Sequence, residues 1–120
     1  MTNEHLVANK TLLRKLVRAF ETGNLSDVDA LIDPDYVDHQ GLDGSELRGA
    51  DGFRRVVAAA RGAILHLHVR IEDLIAENDR VAARLRWHGT NPAGEPIQRE
   101  TVDIIRVAGG RAAEHWGAGG

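Results

Sequence analysis

The sequence has no cysteine among its 120 residues, which excludes disulfide frameworks, thiolate zinc sites, iron–sulfur clusters and cysteine nucleophiles together. Aromatic residues are scarce, at 4%, and no Lys/Arg run exceeds a pair such as Arg54-Arg55. The electrostatic footprint of a nucleic-acid binder is therefore missing. No apolar run approaches the ~18 residues that a membrane span requires, and Glu4 places an acid where a signal peptide carries basic residues. A chain that stays in water, with the cytoplasm as its compartment, is the expectation. Neither charge sign dominates, with 15 Lys+Arg against 18 Asp+Glu and a net charge of −3. Gly-rich phosphate loops, Gly-x-Ser-x-Gly elbows and His-Glu-x-x-His helices are also absent, so the sequence implies neither a nucleotide cofactor nor a metal.

What remains is an ordinary globular composition, 42% hydrophobic and 28% charged. A chain of this size buries about two-thirds of its unfolded surface, enough for one core without covalent staples. One domain over residues 1–117 with a loose tail at 118–120 is expected.

Leu6, Leu12, Leu13, Leu16, Val17 and Phe20 recur at spacings of three and four, which predicts a helix from about Asn3 to Thr22 with Gly23 as its stop. Val28, Leu31 and Ile32 give a short second helix ended by Asp33-Pro34, and Tyr36 to His39 follow as a brief extended piece. Gln40 to Gly49, rich in Gly and polar residues, reads as a loop. Phe53, Val56, Val57 and Ala60 line one side of a third helix over Ala50 to Arg61, closed by Gly62.

From Leu65 the period changes to two. Leu65, Leu67, Val69 and Ile71 alternate with polar residues, as do Val81, Ala83, Leu85 and Trp87. Two more strands, Pro96 to Val107 and Arg111 to Trp116, flank a Gly109-Gly110 turn. Helices followed by a run of antiparallel strands define an α+β domain. Its long strands should curve as one sheet around the three helices, a conical half-barrel with an interior pocket.

Several local patterns then coincide in order: Asn9-Lys10, Gly23-Asn24-Leu25, Pro34 to His39, Asp73 to Ala82, Gly89-Thr90, Asp103-Ile104-Ile105-Arg106 and Glu114-His115-Trp116. In this succession the chain resembles the SnoaL-like proteins of the nuclear-transport-factor-2-like fold over almost its whole length. The resemblance implies a cone-shaped α+β barrel, a homodimer through the outer sheet face, and an apolar cavity for a small cyclic or aromatic ligand. Relatives include cofactor-independent polyketide cyclases and proposed polyketide hydroxylases, the latter implying a possible partner reductase. Fold-mates hydrolyse epoxides, isomerise steroids or only bind ligands, so fold alone does not settle function. The acid that follows Glu-His-Trp in the aldol cyclases is Gly117 here, and the loop after Gly89-Thr90 is short. Both departures point away from the cyclases and toward the hydroxylase-like branch or one without an assigned activity.

Asp103 is a lone acid in an apolar stretch, where a carboxylate needs a partner or a raised pKa. It suits a general acid or base, or else a structural pair with Arg106 or Arg84. His115 is its natural partner across the Gly109-Gly110 hairpin, and register decides whether they meet. A two-residue turn sets Asp103 opposite Trp116, and a three-residue turn sets it opposite His115. Arg99 and Thr101 share the face of Asp103 on a regular strand, a row that keeps epoxide hydrolysis open. His39, with Tyr36 and Asp38, falls at the pocket rim that the resemblance implies, as a ligand contact or in a capping or surface role. Trp87 and Trp116 could stack on a flat ligand or fill a core or interface. His66-x-His68 offers half a metal site with no third ligand at motif spacing, or a polar sheet face.

Overall fold

The computed structural model describes residues 3–42 and 44–119. Its elements run α1 (Asn3–Thr22), α2 (Val28–Leu31), β1 (Ile32–Leu42), β2 (Ser45–Arg48), α3 (Gly49–Ala63), β3 (Leu65–Glu77), β4 (Arg80–Thr90), β5 (Pro96–Ala108) and β6 (Arg111–Gly119). The stripe on α1 buries Leu12, Leu13, Leu16 and Val17. Arg61, from α3, donates to the free carbonyls of Phe20 and Glu21 at 2.9 and 2.7 Å, closing the end of α1. Gly62 does not stop α3, which continues to Ala63.

The six strands form one sheet in the order β2-β1-β6-β5-β4-β3, antiparallel except where β6 runs parallel to β1. The helices cover its concave face, and the core joins α1 and α3 to Leu67, Val69, Val81, Leu85 and Ile105 on the sheet. This is the segregated α+β architecture expected from the sequence.

Three local expectations are corrected. The stretch Gln40 to Gly49 is not one loop: Gln40 to Leu42 end β1, Ser45 to Arg48 form β2 antiparallel to it in a hairpin, with Val37 and Asp38 opposite Arg48 and Leu47, and Gly49 opens α3, while Asp43 lies outside the described residues. Gly41 makes that hairpin possible, because at φ +51° an added Cβ would collide with the Ser45 carbonyl. At the start of β3, His66 adopts φ +55° in a bulge, so Ile64 is buried while Leu65 is 40% exposed. The tail continues as strand, with Ala118 and Gly119 opposite Val102 and Thr101; Gly120 lies outside the described residues.

The hairpin of β5 and β6 settles the register, and neither simple alternative holds. Gly109 and Gly110, at φ +57° and +77°, make a two-residue turn with Ala108 opposite Arg111. Between Val107↔Ala112 and Arg106↔Glu114, Ala113 is an extra residue on β6. This bulge moves Asp103 from Trp116 to Gly117 and puts His115 opposite Ile105. Asp103 and His115 become diagonal neighbours on one face. Ala112 and Ala113 are consecutive and both buried, which a regular strand with one covered face does not allow.

Candidate functional site

β6 lies between β1 and β5, so His115 has a strand on each side. Asp38 is its direct partner on β1, and Asp103 sits diagonally across on β5. The ring contacts both carboxylates, Nδ1 to Asp38 at 2.8 Å and Nε2 to Asp103 at 2.7 Å. The network extends at each end. Backbone N–H groups of Gln40 and Gly41 donate to Asp38 Oδ1, each at 3.0 Å. The Thr101 hydroxyl donates to Asp103 Oδ2 at 2.6 Å, and the Trp87 indole N–H donates to Thr101 at 2.8 Å.

Burial sets the electrostatics. Desolvation alone would pull the His115 imidazolium down, but the hydrogen bonds and charges of Asp103 and Asp38 outweigh it and hold the pKa up at about 9. For Asp38 burial works upward, and the bonds from His115 and the two backbone N–H groups reverse it, leaving the carboxyl below its usual range. Burial, then the charges of Asp38 and Asp103, push the Tyr36 phenol well above its ordinary value. At neutral pH His115 is thus an imidazolium donating from both nitrogens, and Tyr36 is a neutral O–H.

These groups line one end of a cavity of about 370 Å³, within the range of small-molecule sites. Its walls are apolar, including Leu13, Leu16, Phe20, Phe53 and Ile64, and its polar lining includes Tyr36, Asp38, Thr101, Asp103 and His115. Phe20 meets Trp87 edge to face at a centroid distance of 5.1 Å, fixing the indole in the wall. Arg99 also lines the cavity, is exposed, and makes no ion pair with a described residue.

The structure thus brings Asp103, His115, Tyr36, Trp87 and Arg99 to one cavity and separates two other candidates from it. His39 lies on the outer sheet face, where it contacts Glu46 and Glu114 at 2.7 Å each and stacks on Trp116 at 5.2 Å. Trp116 also carries the Arg80 guanidinium 4.9 Å above its ring. The reason is strand alternation: once Asp38 and His115 face inward, their neighbours His39 and Trp116 must face out. His68 stacks on His88 and faces Glu21 at 3.7 Å. No group of three or more His, Asp or Glu suited to hold a metal occurs among the described residues.

Gln40 lines the cavity although nothing in its sequence context singles it out, and Asp38, expected at the pocket rim beside Tyr36 and His39, is the direct partner of His115. A signal for that pairing is present in the sequence. Acid–His dipeptides occur three times, Glu4-His5 on α1 and Asp38-His39 and Glu114-His115 on strands, and the parallel pairing of those two strands makes one acid–imidazole pair on each face. Gln40 explains Gly117, because a Cβ there would lie 2.3 Å from its Oε1 and 2.8 Å from Asp103 Oδ1. The space a side chain at position 117 would fill is occupied by Asp103 and Gln40.

Helices packed on a curved mixed sheet around an interior cavity with a carboxylate–imidazole–carboxylate network define a domain of the nuclear-transport-factor-2-like class. The SnoaL-like domain model matches residues 13–115, and the chain belongs to that family. No match is found among curated proteins. Solved structures share the fold. A candidate polyketide cyclase from Bacillus cereus ATCC 10987 superposes with a TM-score of 0.88 at 23% identity, covering 99% of this chain and 78% of that one. AclR, a candidate hydroxylase from Streptomyces galilaeus, gives 0.80 at 24% identity over 96% and 76%. IdmH, a candidate polyketide cyclase from Streptomyces antibioticus, gives 0.80 at 26% identity over 92% and 91%.

Proposed function

We propose that this protein is a small enzyme that moves protons on an apolar cyclic or aromatic polyketide-like substrate held in the cavity, without an organic cofactor. The observation that carries this reading is Asp103. Its carboxylate lines an otherwise apolar cavity and is held by Thr101 on one oxygen and by His115 on the other. Because both ring nitrogens of His115 already donate, the imidazolium has no lone pair for a substrate proton. Asp103 is therefore the group that takes or gives the proton, and His115, fixed by Asp38, positions it. Tyr36 supplies a neutral hydroxyl and Arg99 a cation for oxygen atoms of the substrate, with Trp87 and Phe20 against its ring.

Ring closure of the aldol type needs only such proton transfers. Hydroxylation would in addition draw on dioxygen and two electrons, the latter from a partner reductase. Epoxide hydrolysis through an acid–Arg–acid row is less well supported: Asp38 provides a second acid, but His115 rather than Arg99 stands between the two. A homodimer through the outer sheet face belongs to the same proposal, supported by Ile75, Ala82, Ile104 and Trp116, which align across four strands on that face. Ile75 is 66% exposed.

A second reading, a ligand-binding domain without turnover, is favoured by Gly117, which leaves the acid position of the aldol cyclases without a side chain. Deuterium exchange at the α-carbon of cyclic ketones, followed by proton NMR in D₂O, separates the two. The enzyme reading expects protein-dependent exchange that Asp103→Asn abolishes while binding persists. Binding at the cavity with no exchange in the wild type would leave the binding domain.

A further inference from the structure

A second concave surface lies outside the cavity, between α1 and β3. It is a groove of about 450 Å³ lined by Val17, Val69 and Ile71, by the four cations Arg14, Lys15, Arg18 and Arg70, by Thr11 and by one acid, Glu21. Its charge is unusual for this molecule, which is acidic overall and pairs most of its arginines. Arg48, Arg54, Arg70, Arg80, Arg84, Arg86 and Arg106 each hold an acid within 4.0 Å, and Arg61 caps α1. Lys10, Arg14, Lys15 and Arg18 have no such partner among the described residues, and all four lie on α1. The remaining unpaired cations, Arg55, Arg99 and Arg111, are scattered over α3, β5 and β6.

This clustering works against the helix. Lys10, Arg14 and Arg18 follow one another at intervals of one turn, where like charges repel and an acid would stabilise. The nearest acid on the same helix, Glu21, faces His68 at 3.7 Å, and Glu72 beside Arg70 also holds Arg86 at 3.3 Å. The groove thus keeps a surplus of exposed positive charge above an apolar floor, a combination that matches a ligand with a compact anion at one end and an apolar body at the other.

The geometry points to the groove between α1 and β3 as a binding site for an organic phosphate, its phosphoryl oxygens held by Arg14, Lys15 and Arg18 and its apolar part laid on Val17 and Ile71. This site shares only Val17 with the cavity lining and does not depend on the chemistry proposed there.

Amide NMR titrations test it with three probes: phenyl phosphate, inorganic phosphate, and benzyl alcohol as the uncharged control. Phenyl phosphate is expected to give saturating shifts at residues 14–18 and 69–71, at least fivefold tighter than inorganic phosphate, with affinity falling as salt rises. Benzyl alcohol should leave these residues unmoved. The exposed double variant Arg14→Glu/Arg18→Glu should weaken phenyl phosphate at least tenfold with an unchanged circular dichroism spectrum, and Arg55→Glu should have no effect. Non-saturating shifts, shifts centred on Asp103 and His115 instead, or an affinity within twofold in the folded double variant would each overturn the proposal.

Discussion

Two histidines on adjacent strands of one sheet have nearly the same first neighbours and opposite surroundings. His115 faces in, with carboxylates of Asp38 and Asp103 at 2.8 and 2.7 Å; His39 faces out, with those of Glu46 and Glu114 at 2.7 Å each. Hydrogen bonds to carboxylates raise both pKa values, to Glu114 and then Glu46 in the case of His39. The difference is water. The Asp38 side chain is 4% exposed and that of Glu46 is 47% exposed. Around Asp38 little solvent can replace a lost partner, so each member of the inner network constrains the others. Outside, water and salt substitute freely, and the cluster contributes little to stability. Geometry alone therefore does not single out the functional histidine; burial beside a cavity does.

The largest expected separation between the two faces is catalytic. On a substrate that the wild type turns over, Asp103→Asn should lower kcat by about 10²- to 10⁴-fold, the range of a general acid–base group. Glu46→Gln should leave it unchanged. Equal losses from both variants would break the distinction.

Stability is the next contrast. Asp38→Ala leaves a buried cation short of one partner and should cost about 3–5 kcal/mol in urea unfolding. His39→Ala should barely move the midpoint. A comparable loss from His39→Ala would mean that the outer cluster is structural after all.

The pH dependence follows from the sign of the His115 shift. Its folded pKa, about 9, is above the ordinary 6.5, so its stabilisation is complete below pH 6.5 and is lost as pH rises through 9. The loss is on the order of 3 kcal/mol across that window. Asp38, shifted down, acts in the other direction: its contribution is present above its unfolded pKa and disappears in acid as pH falls through the folded value. His115→Gln should remove the alkaline decline. The smallest effect is ionic: 1 M salt should lower the pKa of His39 more than that of His115, because exposed pairs are screened and buried ones much less.

How much of this was legible in the sequence depends on the range of the forces involved. The stripe on α1 and the alternation through β4 are local, and their elements stand where the periodicity puts them. The meeting of Asp103 with His115 turns on one bulged residue, Ala113, which carries no turn chemistry of its own and is visible only as a second consecutive buried alanine. His66 likewise shifts β3 by one residue and exchanges Leu65 for Ile64. The side of β1 that Asp38 occupies depends on parallel pairing with β6, more than 70 residues away in the chain. Alternation says that Asp38 and His39 face opposite ways, but it does not say which of them faces in.

The proposed role of Asp103 in proton transfer depends on His115 being an imidazolium held between two buried carboxylates. Nitrogen-15 NMR of the His115 ring across pH 5 to 10.5 tests it most directly. Both ring nitrogens are expected to be protonated at pH 7, with titration near 9 and a lower pKa in Asp103→Asn and in Asp38→Asn. Titration near 6.5, unmoved by either substitution, would contradict it.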